Sequence, residues 1–293
     1  MTYNELLTQS AKKVNNIVCM GLDTQLEAFS ADANEQDIVN FFEELFKKMV
    51  AEGLSPAAFK PNVGYWHALD FPRNGLFPGS LALAEVLDMV EEFFPGIPVI
   101  FDSKRGDIAR SSLNYAIEAF DKWEADAVTV SPYMGTDSIT PFNTESKGVY
   151  ILNRTSNPGG AVIQNRLLID EVDEHTTYPL YKGMSYFIFS LDMTNLGAVV
   201  GATNLDELKD IATYYQDKAI ALLIPGVGSQ GGSAEEVISV LKEVGYDLPL
   251  VRINSSSALT HPWKKGPMPE NYLDLCIKNI KDLISNCSLW FKE

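Results

Sequence analysis

The stretch Pro98-Val99-Ile100-Phe101-Asp102-Ser103-Lys104 decides the fold class of this chain. Its first part is apolar at successive positions, whereas a half-exposed strand would alternate apolar and polar residues. A strand that is apolar on both faces is typical of a parallel sheet covered by helices. The second part changes to charged residues, which places polar groups at the carboxyl end of the strand.

Similar short apolar runs recur along the chain, and most are followed by a segment with helical periodicity. The predicted strands are 17–23, 57–62, 98–104, 127–132, 148–155, 198–203, 221–227 and 248–254. The predicted helices are 36–52, 81–93, 111–123, 205–215, 234–244 and 272–284. This order favours an α/β fold, a single-domain (β/α)8 barrel over residues 1–293 with its active site at the carboxyl ends of the strands. A doubly wound sheet is the alternative, but no G-x-G-x-x-G follows the first strand.

Composition excludes several classes of partner. The net charge of −16 disfavours binding to nucleic acid or to an anionic membrane. No run of about 18 apolar residues predicts a membrane span, and the first residues do not resemble a secretory signal. The three cysteines show no C-x-x-C spacing, which argues against a disulfide framework or a zinc site. We therefore expect a cytoplasmic protein without a bound metal.

Three successive strands end in polar residues that would meet at one rim of the barrel. They contribute Asp23, then Lys60 and Asn62, then the run Asp102 to Asp107. Asp102 and Lys104 lie two positions apart on a strand, so their side chains share a face. Asp107 has an alternative interpretation as the cap of the helix predicted at 111–123. Burying such alternating charges is costly unless they pair, and this points to a functional use.

A candidate anion site follows the seventh strand. The glycine-rich turn Gly226-Val227-Gly228-Ser229-Gln230-Gly231-Gly232 leads from a strand into a helix and offers backbone N–H groups. Arg252 lies in the next predicted strand. Phosphate commonly binds to the loops after strands seven and eight of this barrel, so we expect a phosphate here.

The motif D-x-K-x-x-D in Phe101-Asp102-Ser103-Lys104-Arg105-Gly106-Asp107-Ile108 resembles the signature of the orotidine 5′-phosphate decarboxylase family, in its F-D-x-K-R-G-D-I sub-branch. Other segments in matching order are Gly21-Leu22-Asp23, Phe59-Lys60-Pro61-Asn62, Pro225-Gly226-Val227-Gly228 and Arg252-Ile253-Asn254. The resemblance implies a cofactor-free homodimer that decarboxylates orotidine 5′-monophosphate to UMP and CO2 in de novo pyrimidine biosynthesis.

The resemblance also implies roles for individual residues. Lys60, Asp102, Lys104 and Asp107 match the charged catalytic tetrad, with Lys104 as the proton donor. Asp107 and Ser111 would reach into the partner subunit's site. The remaining substrate contacts would be Asp23 and Asn62 to ribose, Thr155 and Ser156 to the pyrimidine, and Gln230, Arg252 and the backbone near Gly231 to the phosphate. The longest segment predicted to be irregular is the insert at 157–178, and the resemblance implies no role for it.

Three other activities fit these residues less well. A metal-dependent sugar-phosphate synthase or decarboxylase of the same superfamily, such as hexulose-phosphate synthase, would have an acidic residue at the end of strand two to hold magnesium; Lys60 occupies that position and would repel a cation. A Schiff-base aldolase using Lys104 needs a neutral amine, which two flanking carboxylates disfavour. A nucleotide-binding protein without activity would leave the charged tetrad unexplained.

Overall fold

The computed structural model describes residues 1–23, 25–30, 32–170, 172–228, 231–263 and 268–289. The strands in these ranges are β1 Val18–Gly21, β2 Ala58–Lys60, β3 Ile100–Arg105, β4 Ala127–Val130, β5 Gly148–Arg154, β6 Leu167–Ile169, β7 Thr177–Pro179, β8 Leu196–Val200, β9 Ala221–Ile224 and β10 Val251–Ser255. The helices are α1 Tyr3–Val14, α2 Glu35–Ala51, α3 Val63–His67, α4 Pro78–Phe93, α5 Ala109–Ile117, α6 Ala161–Gln164, α7 Leu180–Ser190, α8 Leu205–Tyr215, α9 Ala234–Glu243, α10 Ser257–Thr260 and α11 Tyr272–Asn286.

Eight parallel strands form the central sheet in the order β2-β1-β10-β9-β8-β5-β4-β3. Isolated parallel bridges join Phe59 to Val99 and Asn62 to Asp102, so the two outer strands of this order also meet. The Asp102 N–H donates to the Pro61 carbonyl at 2.9 Å, which adds a hydrogen bond to the closure. The sheet is therefore a closed barrel, and the predicted (β/α)8 fold is confirmed.

The barrel has two apolar cores. The larger one lies between the outer faces of the strands and the surrounding helices. The smaller one fills the barrel interior with residues such as Cys19, Ile100 and Tyr150, and α1 closes its amino end with Tyr3 and Leu7. The inward-facing positions of each strand run from this plugged end towards the open carboxyl end, where polar groups replace apolar ones.

The eight predicted barrel strands are all present, each differing from its prediction by a few residues at the ends. The helix predicted at 81–93 begins earlier, at Pro78, because proline suits the first helical turn where no N–H is needed. Helix α1 was not predicted; it starts with a capping box between Thr2 and Glu5.

The insert after β5 was predicted to be irregular, and it contains regular structure. It forms the short helix α6 and the antiparallel hairpin of β6 and β7. These pieces are too short for sequence periodicity to reveal them. Among the described residues, no helix combines the length and apolar character needed to cross a membrane.

Candidate active site

A cavity of about 670 Å3 opens at the carboxyl ends of the barrel strands. Every barrel strand or the loop after it contributes to its wall, as expected for the active-site end of this fold. Its polar lining residues are Asp23, Gln25, Lys60, Asn62, Tyr65, Asp102, Lys104, Thr129, Thr155, Ser156, Asn157, Asn254, Ser255, Ser256, Ser257 and His261. The site predicted from the strand ends is therefore one continuous pocket.

A hydrogen-bonded row of charges lies in this pocket. The Asp102 carboxylate accepts from Lys60 Nζ at 2.8 Å through Oδ2 and from Lys104 Nζ at 2.6 Å through Oδ1. Lys60 and Asp102 are buried, with 3% and 6% of their surfaces exposed, whereas the Lys104 side chain is 46% exposed. Asp23 lies 3.7 Å from Lys60 Nζ. The array thus anchors two charges in the wall and presents the third, Lys104, to the cavity.

The neighbouring charges fix the ionisation of the buried pair. Burial on its own would lower the pKa of Lys60, but the Asp102 and Asp23 carboxylates outweigh it and hold that pKa above its usual value. Burial on its own would raise the pKa of Asp102, but Lys60 and Lys104 outweigh it and hold that pKa well below its usual value. Both groups are therefore charged at neutral pH.

Thr129 is a member of the array that sequence reasoning missed. Its hydroxyl accepts from the Lys104 backbone N–H at 3.0 Å and donates to Asp102 Oδ1 at 2.7 Å. Lys104 has a φ of 46°, a left-handed conformation that costs energy in a residue with a side chain. The hydrogen bond to Thr129 helps to hold this conformation. The available signal was a polar residue between valines in the apolar strand β4.

The two predicted ribose contacts both line the pocket. Asp23 accepts from the Asn62 N–H at 2.7 Å and from the Ser256 hydroxyl at 2.8 Å. The Asn62 side-chain oxygen accepts from the Gly64 N–H and caps α3. Ser256 was not predicted, although the run of serines at the end of β10 is visible in the sequence.

The two predicted pyrimidine contacts, Thr155 and Ser156, follow β5 and line the same pocket. The predicted tetrad member Asp107 does not line it; its carboxylate accepts from the Ile108 N–H instead. Ser111, predicted to cross to the partner, is also absent from the pocket lining of its own chain. Asp107 is not the side-chain cap of α5, because no side chain caps that helix.

One phosphate contact predicted from the sequence, Arg252, is contradicted, whereas the contact to backbone N–H groups near Gly231 stays a prediction. Arg252 is fully buried, and its guanidinium donates to the carbonyls of Leu7 and Ala57 and to the Ser10 hydroxyl, all at the amino end of the barrel. Arg252 therefore lies at the wrong end to contact a ligand in the pocket. The Gly231 N–H donates to the Gly228 carbonyl at 3.0 Å, so the turn itself uses this donor. Gln230, the third predicted contact, lies outside the described residues.

His261 lines the pocket and was not predicted to do so. It is 7% exposed, and its Nδ1 lies 3.0 Å from the Thr260 hydroxyl. Burial lowers its pKa, with Asp23 acting in the opposite direction, so the ring is neutral at pH 7. His261 therefore contributes a polar but uncharged group to the wall.

Comparison with known proteins agrees with this geometry. Residues 17–246 match the model of the Orotidine 5′-phosphate decarboxylase / HUMPS family. The chain is 35% identical over 266 residues to orotidine 5′-phosphate decarboxylase of Cupriavidus metallidurans, covering 89% of this chain and 90% of that protein. It is 33% identical over 262 residues to the Variovorax paradoxus enzyme of the same name, with the same coverage.

Solved structures show the same likeness. OMP decarboxylase of Leishmania donovani superposes with a TM-score of 0.73 at 27% identity, covering 98% of each chain. UMP synthase of the same organism superposes with a TM-score of 0.75 at 28% identity, covering 97% of this chain and 56% of that one. The chain belongs to the orotidine 5′-phosphate decarboxylase family.

Proposed function

We propose that this pocket removes CO2 from C6 of orotidine 5′-monophosphate and yields UMP, as a step of pyrimidine biosynthesis. The observation that carries the proposal is the hydrogen-bonded Lys60–Asp102–Lys104 row at the carboxyl ends of β2 and β3. Asp102 and Lys104 of this row lie within Phe101 to Ile108, a stretch that fits the F-D-x-K-R-G-D-I sub-branch, to which we assign the chain. The relatives named above carry the decarboxylase name.

The chemistry explains why the row contains a cation at its exposed end. Loss of CO2 leaves an electron pair in an sp2 orbital at C6, which the ring π system cannot delocalise. The Lys104 ammonium stabilises this developing charge and then protonates C6, so that an N–H bond breaks as the C–H bond forms. Asp102 holds Lys104 in place and, next to the substrate carboxylate, disfavours the ground state.

One charge contact cannot supply the whole effect. Two unit charges about 4 Å apart interact by roughly 4 kcal/mol at an effective dielectric constant near 20. An acceleration of ~10^17 corresponds to about 23 kcal/mol. Binding of the ribose and phosphate must therefore contribute to the barrier reduction.

We assign the ribose to Asp23 and Asn62 and the pyrimidine to Thr155 and Ser156, which line one pocket. Because Arg252 lies at the amino end of the barrel, the serines at the end of β10 are better candidates for binding the phosphate. Ser256 and Ser257 line the pocket next to Gly226 of the glycine-rich turn. Their hydroxyls are suitable donors to phosphate oxygens, and we place the phosphate between them and Gly226, with Gln230 kept as a contact predicted from the sequence.

Lys60 also distinguishes this reaction from the metal-dependent alternative. The end of β2, where a magnesium-binding carboxylate would be expected, holds a lysine paired with two carboxylates. A cation placed there would meet a fixed positive charge. The proposed reaction therefore uses the charges of the protein itself and continues when divalent metal is chelated.

We further propose that the active form is a homodimer with shared sites. Asp107 and Ser111 lie outside the pocket of their own chain, as expected if they serve the partner's pocket. Large apolar side chains are exposed in the segments that follow β2, β3 and β4, where such a contact would form. They are Phe71, Leu76, Phe77, Leu81, Ile108, Leu113, Tyr133 and Met134.

The proposal extends to domain organisation and location. The chain 1–293 would act as one barrel domain, in the cytoplasm where pyrimidine nucleotides are made. The three cysteines are free and buried, as in proteins of a reducing compartment.

The reaction is tested by adding orotidine 5′-monophosphate to the purified protein in the presence of EDTA and following the pyrimidine absorbance. We expect conversion to UMP at a rate unaffected by EDTA. Absence of conversion would contradict the assignment, and dependence on added magnesium would favour the metal-dependent alternative.

The shared site is tested by mixing inactive Lys104→Ala and inactive Asp107→Ala proteins after partial denaturation and refolding. Each mixed dimer then has one site with both residues intact, so about a quarter of wild-type activity should return. Wild-type protein treated in the same way is the control. No recovery would mean that Asp107 serves its own subunit.

A further inference from the structure

The insert after β5 contacts the wall of the pocket through the amide side chain of Gln164. Gln164, at the end of α6, lies over the polar segment that follows β5. Its Oε1 accepts from the Thr155 N–H at 3.0 Å and from Arg154 Nη1 at 3.1 Å. Its Nε2 donates to the Thr155 hydroxyl oxygen at 2.9 Å. Thr155 lines the pocket, whereas Gln164 does not.

These partners determine which way the Gln164 amide is oriented. A backbone N–H and a guanidinium can only donate, so the amide oxygen must face them. The reversed orientation would place the NH2 group against two donors. Nε2 is therefore the atom that faces the Thr155 hydroxyl, and it can only donate to that oxygen.

The direction of this bond sets the polarity of the Thr155 hydroxyl. The hydroxyl oxygen also lies 3.2 Å from Gln164 Oε1, but that oxygen already accepts two shorter hydrogen bonds. With Nε2 donating to it at 2.9 Å, the hydroxyl keeps its own hydrogen for another acceptor. Because Thr155 lines the pocket, a base bound there can be that acceptor.

We propose that Gln164 is a positioning residue that sets Thr155 as a hydrogen-bond donor and thereby selects a base with a carbonyl group, rather than an amino group, at that position. The inference rests on the proposed function, in which Thr155 contacts the pyrimidine. It assigns to the insert the discrimination of uracil-type from cytosine-type nucleotides.

The surroundings of Gln164 keep this geometry in place. Arg154 Nε pairs with Glu207 of α8 at 2.6 Å, and both side chains are 9% exposed. Asn165 Nδ2 donates to the other oxygen of Glu207 at 2.9 Å and attaches the insert to the same helix. Gly160 approaches so closely that a side chain there would lie 2.7 Å from the Thr155 hydroxyl oxygen and 3.0 Å from Gln164 Oε1. Such a packed arrangement favours one orientation of the amide.

The test is Gln164→Glu, which keeps the shape of the side chain and replaces the donor by an acceptor. The Thr155 hydroxyl would then donate to the carboxylate and offer only lone pairs to the pocket. We expect the ratio of UMP to CMP affinity, measured by calorimetric titration of the dimeric protein, to fall by about tenfold or more. The added negative charge repels both nucleotides similarly, so it cancels in the ratio.

Two further variants keep the test specific. Ile163→Ala changes an exposed side chain of α6 next to Gln164 and keeps the amide contacts, so its affinity ratio should match that of the wild type. Thr155→Val removes the hydroxyl, so adding Gln164→Glu to it should not change the ratio further. An unchanged ratio in folded Gln164→Glu, an equal fall in Ile163→Ala, or binding of neither nucleotide by the wild type would each overturn the proposal.

Turnover of orotidine 5′-monophosphate by the wild type is measured separately. A wild type that discriminates UMP from CMP through Gln164 but does not decarboxylate would contradict the proposed function and support the positioning role. If the wild type decarboxylates orotidine 5′-monophosphate but the Gln164→Glu variant keeps the preference for UMP, the proposed function is supported and the positioning role of Gln164 is contradicted.

Discussion

Lys60 and Arg252 are basic side chains buried inside the same barrel, and they lie at opposite ends of it. Lys60, at the carboxyl end, has the Asp102 and Asp23 carboxylates as its partners. Arg252, at the amino end, donates to backbone carbonyls and to the Ser10 hydroxyl, which carry no charge. With these partners, Lys60 belongs to the proposed active site, whereas Arg252 stabilises the fold.

The effect of burial differs in the same way. At Arg252, burial lowers the pKa and the weak opposing influence of buried tyrosines and Cys19 does not offset it. At Lys60, burial acts in the same direction but the carboxylates outweigh it. A buried charge with counter-charges and access to a cavity is available for electrostatic catalysis. A buried guanidinium satisfied by carbonyls instead joins α1 to the start of β2 and β10.

Among the changes that test the comparison of Lys60 with Arg252, the largest effect is expected from Lys60→Met. After the substitution, Lys104 is the one remaining lysine partner of the Asp102 carboxylate, and the hydrogen-bonded row loses its buried lysine. We expect kcat/KM for orotidine 5′-monophosphate to fall by about 100-fold or more, as for loss of a catalytic electrostatic contact. The exposed Lys47→Met, which loses only a surface ion pair, is the matched control. Near-normal kcat/KM in Lys60→Met would contradict the assignment of Lys60 to the catalytic array.

Arg252→Ala should affect stability and leave catalysis in the folded protein nearly unchanged. Removing the guanidinium leaves buried carbonyls without donors and opens a cavity. We therefore expect the free energy of unfolding in urea to fall by about 3 kcal/mol. Arg73→Ala, at an exposed position, should cost little. If Arg252→Ala kept its stability and lost affinity for UMP, the original assignment of Arg252 to phosphate would be restored.

A smaller effect is expected from Thr129→Val, which is nearly isosteric. It removes the hydroxyl that joins the Lys104 backbone to Asp102. Loss of one such hydrogen bond is worth about 1.4 kcal/mol, so kcat should fall by roughly tenfold. Thr213→Val removes a hydroxyl that bonds only within α8 and serves as the control. An effect of equal size in both variants would point to a general loss of packing.

The smallest effect concerns pH. The pKa of Asp102 is lowered, so its contribution to stability is present above its unfolded pKa of about 3.9 and is lost as the pH falls towards the folded value. The pKa of Lys60 is raised, so its contribution is complete below its unfolded pKa of about 10.4 and is lost as the pH rises through the folded value. The difference in unfolding free energy between wild type and Lys60→Met should therefore be flat between about pH 5 and 9. A slope within that window would show that one partner of the pair titrates there.

The fold and the charged row could be predicted because they depend on local patterns. Apolar runs followed by helical segments identify the strands, and the two-residue spacing of Asp102 and Lys104 places them on one face. The error at Arg252 arose from the bounds of its strand. With a strand at 248–254, Arg252 would lie near the carboxyl end, but β10 is Val251–Ser255 and Arg252 is its second residue. Arg252 was therefore predicted at the wrong end of the barrel.

Other parts of the site depend on contacts between distant segments, which sequence patterns do not contain. The Thr129 hydroxyl of β4 donates to Asp102 of β3. The Ser256 hydroxyl, which follows the last barrel strand, donates to Asp23, which follows the first. The contact between Gln164 and Thr155 requires the path of the insert, which was predicted only to be irregular. The sequence shows these residue types, but it does not show which residues they contact in the folded protein.

The central claim is that Lys104 supplies the charge and the proton at C6. Its most direct test is a single-turnover experiment in EDTA with excess Lys104→Met protein over orotidine 5′-monophosphate, run beside the wild type. We predict that the wild type forms UMP, while the variant remains folded and forms UMP at least about 1000-fold more slowly. Formation of UMP by Lys104→Met at a rate close to that of the wild type would contradict the account.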